Sequence, residues 1–388
     1  MKSNIRNNII YIFVLILSVS FIIIGYNLCK PEIFNSSEGD ICKARVVSVG
    51  ETVLDEFVPE ETENTAQNKK IYFNAVLTAG KDKGKTVEAF QYIDYMLPVQ
   101  SKEVLPGNNI IMINALDPNT NENGWQFLEH NRSDYLIWLC VLFFALIIII
   151  GRRKGISTII SLILTTLIIF VVYVPSILKG YNVYLSTIVI SIYIIFMSIY
   201  IINGANKKTL CAIIGNIGGV LIAGMLALLM NNLLNITGVI EEDYVFLMYL
   251  ETSSPIDLRA IVWGSIVIGS LGAIMDVAMS IASAMHELSE TMENKSFNNM
   301  LKSGMNIGRD AIGTMTNTLI LAYIGGSLAT VLLLIAYNKN VLYLFNMEMI
   351  VVEVIQAIVG SIGILFAVPV TAAFSAYIFN KEKSKKAM

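Results

Sequence analysis

Apolar runs long enough to cross a bilayer recur eight times along this chain, and no other feature narrows its fold as much. They lie near 9–28, 135–150, 156–174, 184–202, 209–230, 260–282, 311–336 and 354–379. In hydrocarbon the backbone must satisfy its own hydrogen bonds, so such runs become helices, and helices in this number form a bundle. Composition agrees: the 388 residues are 55% hydrophobic and 15% charged, whereas a soluble domain is about a quarter charged. The fold class is therefore a membrane all-α bundle of about eight transmembrane helices, with the lipid bilayer as its first partner. A net charge of −3 argues against nucleic acid as a partner. Cys29, Cys42, Cys140 and Cys211 show no C-x-x-C spacing, and there are only two histidines, so neither a metal nor a cofactor is expected.

The first run reads as an uncleaved anchor. It is longer than a signal-peptide core, and no small-x-small site follows. Orientation comes from lysine and arginine in the short loops. With the N-terminus inside, fourteen basic residues are cytoplasmic: Lys2, Arg6, Arg152, Arg153, Lys154, Lys207, Lys208, Lys295, Lys302, Arg309, Lys381, Lys383, Lys385 and Lys386. Three remain outside: Lys179, Arg259 and Lys339. Both termini are thus expected in the cytoplasm of a cell whose plasma membrane holds the chain. Four regions result: an anchor helix at 1–29, an extracytoplasmic segment at 30–134, a seven-helix membrane domain at 135–380 and a basic tail at 381–388.

The segment 30–134 reads as β-rich. Ile71–Ala79 and Thr86–Tyr92 flank the turn Gly80-Lys81-Asp82-Lys83-Gly84, a hairpin signal. Ile71, Phe73, Ala75 and Leu77 share one alternating face. Ala44–Val49 and Ile110–Ile113 look like further strands. Residues 51–70, rich in Glu, Asn and Thr, are expected to form a mobile loop. About five short strands in this length suit a small barrel of the OB or SH3-like kind. Its role is either spacer or partner- or substrate-gating domain.

Polar residues inside the spans carry the functional information, because an ionisable group in hydrocarbon costs several kcal/mol without partners or water. Asp276 is the only acidic residue well inside an expected span. At 1.5 Å per residue it lies roughly 9 Å from the span's cytoplasmic end. Ser265, Gly269, Gly272, Ser280, Ser283 and Glu287 share its face at helical spacing. In the seventh span Asn306, Asp310, Gly313, Thr314 and Asn317 form a matching face, which turns apolar at Leu321 and Ile324. The fifth span aligns Thr209, Ala212, Asn216, Gly219, Ala223 and Ala227, and the eighth aligns Gln356, Gly360, Gly363 and Ala367. Asn216 and Asn317 match Asp276 in depth. Gly269, Gly272, Gly313, Gly360 and Gly363 are read as helix-packing glycines. Arg309, Asp310 and Glu287 are placed at the mouth, where they pair structurally or gate. His286 lies off the stripe, at the membrane surface.

The stretches from Gly272 to Ser283 (GAIMDVAMSIAS) and from Ser303 to Gly326 (SGMNIGRDAIGTMTNTLILAYIGG) resemble the most distinctive segments of the YibE/F-like membrane proteins. Gly360-Ser-Ile-Gly363 and Val368-Pro369-Val-Thr371 fit the same pattern, and the likeness covers roughly 130–380. The resemblance implies a bacterial multi-span membrane protein and names no activity. A weaker likeness runs to the SecD/SecF export accessory proteins: an anchor span, an outer domain, then an acidic helix, a cytoplasmic loop and an Arg-Thr-rich helix. It is an analogy of arrangement.

Two functions follow. In the first, a polar cavity open to the cytoplasm lets Asp276, with Ser280, Thr314, Asn216 and Asn317, bind or relay an ion or proton, coupled to an unknown substrate or export step. In the second, the bundle is inert and the outer domain makes the chain a scaffold or sensor. A homo-oligomer or another membrane protein is a partner in either. An enzyme is not expected: the spans hold no paired carboxylates, no Cys–His pair and no metal cluster.

Overall fold

A computed structural model of the protein describes residues 2–30, 40–57, 66–94, 101–116, 123–240, 242–250, 255–292, 296–337 and 340–386. The chain divides into two compact units, Glu32–Leu146 and the remainder, Met1–Pro31 with Ile147–Met388.

The smaller unit is built on five strands, β1 Asp40–Phe57, β2 Ala66–Leu77, β3 Thr86–Ile93, β4 Asn109–Leu116 and β5 Asn123–His130, closed into a barrel in the order β1-β2-β3-β5-β4. All pairings are antiparallel except β3 with β5. The hairpin expected around residues 80–84 is present: Ile71 pairs with Gln91, and Gly80 and Gly84 adopt φ of 83° and 90°, which only glycine takes without strain. Ile71, Phe73, Ala75 and Leu77 all face the barrel core, beside Val46, Ile110 and Met112. Gln91 is the polar exception. Its side-chain oxygen accepts from the Val104 N–H (2.8 Å) and its amide donates to the Lys102 carbonyl (3.0 Å), so burial leaves it satisfied.

The expected mobile loop at 51–70 is corrected. The β1–β2 ladder continues from Thr52–Ile71 to Phe57–Ala66, so most of that stretch is strand. Register shifts at Val46/Ser48 and Val49/Thr52 bend β1 enough for one strand to pair with both β2 and β4. Glu51, Thr52, Val53 and Leu54 are exposed, and backbone pairing needs no buried apolar side chain. Residues 58–65 of that loop, and Lys295 and Lys339 among the loop charges, lie outside the described residues.

The larger unit is helical: α1 Lys2–Cys29, α2 Ser133–Ile168 (shared with the smaller unit), a π-helical turn Ile169–Tyr173, α3 Val174–Leu178, α4 Val183–Asn203, α5 Lys207–Leu233, α6 Glu242–Met248, α7 Leu258–Thr291, α8 Phe297–Gly326, α9 Leu328–Tyr337, α10 Val341–Leu344 and α11 Glu348–Lys386. Six described helical stretches are long and apolar enough to cross a membrane; α8 and α9, bent by 61° at Ser327, make a seventh if they count as one span. The second and third expected runs fall in one 46-residue stretch, Ser133–Leu178. They are separated by Arg152, whose φ of 49° and ψ of −126° are non-helical. Helix starts follow their capping residues: Asn182, Asn206, Asp257 and Ser296 each accept from the N–H three positions on.

The core of this unit is the mutual packing of α5, α7 and α11, with α8 laid against α7 and α11 and α4 against α5 and α7. Small residues let the backbones approach. A methyl carbon added at Gly219 would lie 2.8 Å from the Gly363 carbonyl oxygen and 2.8 Å from Ile274, and one at Gly363 2.7 Å from Ile274. The Trp263 indole N–H donates to the Gly224 carbonyl (2.8 Å), tying α7 to α5. Phe21 of α1 stacks on Tyr193 of α4 at 4.7 Å. At the start of α11 the Glu348 carboxylate accepts from the N–H groups of Thr237 and Gly238 and from the Thr237 hydroxyl, at 2.6–2.8 Å.

Candidate functional site

The α7 stripe forms as the spacing requires, and it faces away from the core. Ile274, Val277, Ala278, Ile281 and Met285 are buried, while Ser265, Gly269, Gly272, Asp276, Ser280 and Glu287 are exposed and Ser283 partly so. The stripe on α8 behaves the same way. Gly304, Gly308 and Leu319 are buried, and Asn306, Asp310, Gly313, Thr314 and Asn317 are exposed. The apolar faces of both helices thus build the bundle, and their polar faces are left uncovered by the described residues.

Depth and direction separate the expected site residues. Gly308 lies against Ile281 and Gly304 against Met285, while Gly269 lies under the Tyr323 hydroxyl. Asp276 therefore stands near the level of Thr314, with Asn317 within a turn of it. Gly219 meets Ile274, and Gly224 meets Trp263 and Val267, so antiparallel α5 brings Asn216 to about the level of Val277. The two share a level along the bundle, yet Asn216 is fully buried on the inner face and Asp276 points outward. Neither amide atom of Asn216 has a hydrogen-bond partner among the described residues. Asp276, Glu287 and Asp310 likewise have no side-chain hydrogen bond or ion pair among the described residues. Arg309 donates to the Asn306 side-chain oxygen at 3.3 Å and does not reach Glu287. Ser280 stands one turn from Asp276 on the same exposed face. The Thr314 hydroxyl turns back to the Ala311 carbonyl (3.1 Å). His286 lies off the stripe, its ring 5.5 Å from Phe379 and its Nε2 3.9 Å from the Glu290 carboxylate.

The five packing glycines divide. Gly360 and Gly363 sit at helix crossings and Gly269 under Tyr323, each with a neighbour within 3 Å of an added methyl carbon. Gly272 and Gly313 have nothing within 4 Å. The α5 face of Thr209, Ala212, Asn216, Gly219, Ala223 and Ala227 is buried throughout. On α11, the Gln356 amide donates to the Ser265 hydroxyl oxygen (3.0 Å), joining this helix to the top of the α7 stripe.

One residue escaped the sequence reading. Glu353 lies in the second turn of α11, inside the membrane-length stretch Glu348–Asn380. The apolar run begins at Val354, so a boundary drawn by hydropathy left the carboxyl just outside; the helix start at Glu348 brings it in. Asp276 is therefore not the only carboxyl within these helices. Among the described residues no group of three His, Cys, Asp or Glu side chains could hold a metal ion.

A bundle of membrane-length helices with a small appended barrel, and ionisable groups on its helix faces, defines a multi-pass membrane protein. Within that class the chain belongs to the YibE/F-like protein family, whose model matches residues 139–381. No curated protein and no solved structure matches it.

Proposed function

We propose that this protein is an ion- or proton-coupled transporter or export factor of a bacterial plasma membrane, with Asp276 as its coupling group. The observation that carries this reading is a carboxyl in the middle of a membrane-length helix, without a described partner, on a continuous polar and glycine track from Ser265 to Glu287. The helix opposite offers Thr314 and Asn317 at nearly the same level, and either can hydrogen-bond the charged or the neutral carboxyl. In this reading the chain has eight spans, both termini are cytoplasmic, and the barrel, of the OB or SH3-like kind, is extracytoplasmic. The support is the fourteen-to-three distribution of basic residues.

The described residues of one chain leave this track open, and a bare Asp276 against lipid is costly. A second copy supplies the missing wall. Its α8 carries the exposed cations Lys302, near the level of Glu287, and Arg309, near the level of Ser280 and one turn from Asp276, so a two-fold axis along the membrane normal sets Lys302 beside Glu287.

The test is flux in proteoliposomes under an imposed pH gradient, with a panel of ions. Asp276→Asn keeps size and hydrogen bonding and removes titration; it should abolish proton-linked flux while the protein still inserts and melts normally. Full activity of that variant would make the carboxyl structural. Absence of flux from the unaltered protein with every ion would favour the scaffold or sensor reading. Orientation is checked separately: a single cysteine at position 240 should react with an impermeant thiol reagent from outside, and one at 206 should not.

A further inference from the structure

Where α8 bends into α9, these helices and the start of α11 enclose a cleft of about 550 Å³. That lies within the range of roughly 300–1,000 Å³ typical of small-molecule sites. Its walls are mainly aliphatic, with Ile320, Ile324, Val331 and Ile350 among them. Glu353 supplies the one carboxylate in the lining, and it has no hydrogen bond or ion pair among the described residues. Of the other polar groups in the lining, the Gln356 amide donates to Ser265, and Tyr323, Ser327 and Thr330 contribute hydroxyls.

The chemistry of the lining selects among ligands. A bare inorganic cation needs a shell of oxygen ligands to replace its hydration, and here a single carboxylate and three hydroxyls stand among mainly aliphatic walls. An anion would be repelled by Glu353. A neutral apolar molecule would fill the volume and leave the carboxylate desolvated without a counter-charge. A cation whose charge is spread over a large apolar body meets both demands, since weak hydration makes it cheap to desolvate and its area matches the aliphatic walls.

We propose that the cleft between the α8–α9 bend and α11 binds a hydrophobic organic cation, held by Glu353 and by Ile320, Ile324, Val331 and Ile350. Calling it a substrate site rests on the transport reading above; binding itself does not. The ligand enters at the Ser327 end of α8, and the Gln356–Ser265 bond links its floor to the α7 track that leads to Asp276.

The probe is tetraphenylphosphonium, measured by equilibrium dialysis against the full chain in nanodiscs of neutral lipid, with empty discs subtracted. Saturable binding of one cation per chain is expected. Glu353→Gln should weaken it at least tenfold, Glu353→Asp should retain most of it, and Thr330→Trp, which fills the cleft, should remove it. Thermal melting confirms that each variant is folded. Asp276→Asn should bind as the unaltered protein does, even where its flux is lost. Uptake no greater than that of empty discs, or unchanged binding by a folded Glu353→Gln, overturns the proposal. Saturable Glu353-dependent binding in a protein without flux would defeat the transport reading alone. Asp276-dependent flux with no Glu353-dependent binding would defeat this inference alone.

Discussion

The α5–α7–α11 contact and the outward faces of α7 and α8 are made of the same materials, glycine, alanine, serine and amides, and they do opposite things. In the first, Gly219 and Gly363 bring backbone against backbone and Ile274 seals the crossing. In the second, Gly272 and Gly313 touch nothing within 4 Å, and Asp276 stands exposed between them in level. A glycine stripe in a membrane helix marks a place where something approaches closely. On one side of α7 the described residues supply that neighbour; on the other they do not. The contrast teaches that the small-residue pattern alone does not distinguish a closed seam from an open one.

The sharpest way to break this contrast is chemical. Asp276→Asn lies on the open face and should remove all proton-linked flux with a change in melting of no more than a few degrees, whereas no single polar group of the closed seam should have that effect. Steric substitutions come next. Gly363→Leu forces a branched side chain into a seam where even a methyl carbon meets Ile274 at 2.7 Å. Overpacking of this kind costs about 1–3 kcal/mol or more, so a strongly lowered melting temperature or loss of folded protein is expected. Gly272→Leu, on the open face, should leave the fold and melting of a single chain nearly unchanged while converting the particle from two copies to one, as read by mass in detergent and in nanodiscs. If Gly272→Leu and Gly363→Leu destabilise equally, both faces are internal packing and the contrast fails. The smallest effect is expected at Asn216. Both its amide atoms are buried without a described partner, and an unsatisfied buried polar group costs about 1–3 kcal/mol. Asn216→Leu should therefore leave stability unchanged or raise it by about 1 kcal/mol, with flux retained. Loss of flux there would place Asn216 in the coupling path.

Much of this was readable because period and burial are tied together. Ile71, Phe73, Ala75 and Leu77 alternate, and all four enter the barrel core, since in a closed barrel one face of every strand has nowhere else to go. Thr209, Ala212, Asn216, Gly219, Ala223 and Ala227 keep helical spacing and are all buried. The strand at 51–57 was hidden because its pairing uses the backbone and its sequence, from Glu51 to Phe57, shows no apolar alternation. Glu353 was hidden because hydropathy marks where a run becomes apolar and not where a helix begins.

What the sequence by itself determined is local and periodic: which segments are helices of membrane length, which are strands, and that Asp276 heads a stripe of small and polar residues at the depth of Asn216 and Asn317. Tertiary structure alone decided direction. Each helix has two or three faces able to pack, and the choice among them depends on the neighbours, which no single helix encodes. Because Ile274 seats against Gly219 of α5 and Gly363 of α11, and Ile281 against Gly308 of α8, α7 turned its aliphatic face inward and its polar one outward. Asn216 was thereby separated from Asp276 at equal depth, and α8 and α9, by bending at Ser327, opened a cleft beside Glu353. These placements come from the complementarity of surfaces far apart in the chain, where packing energy is collected over many weak contacts at once.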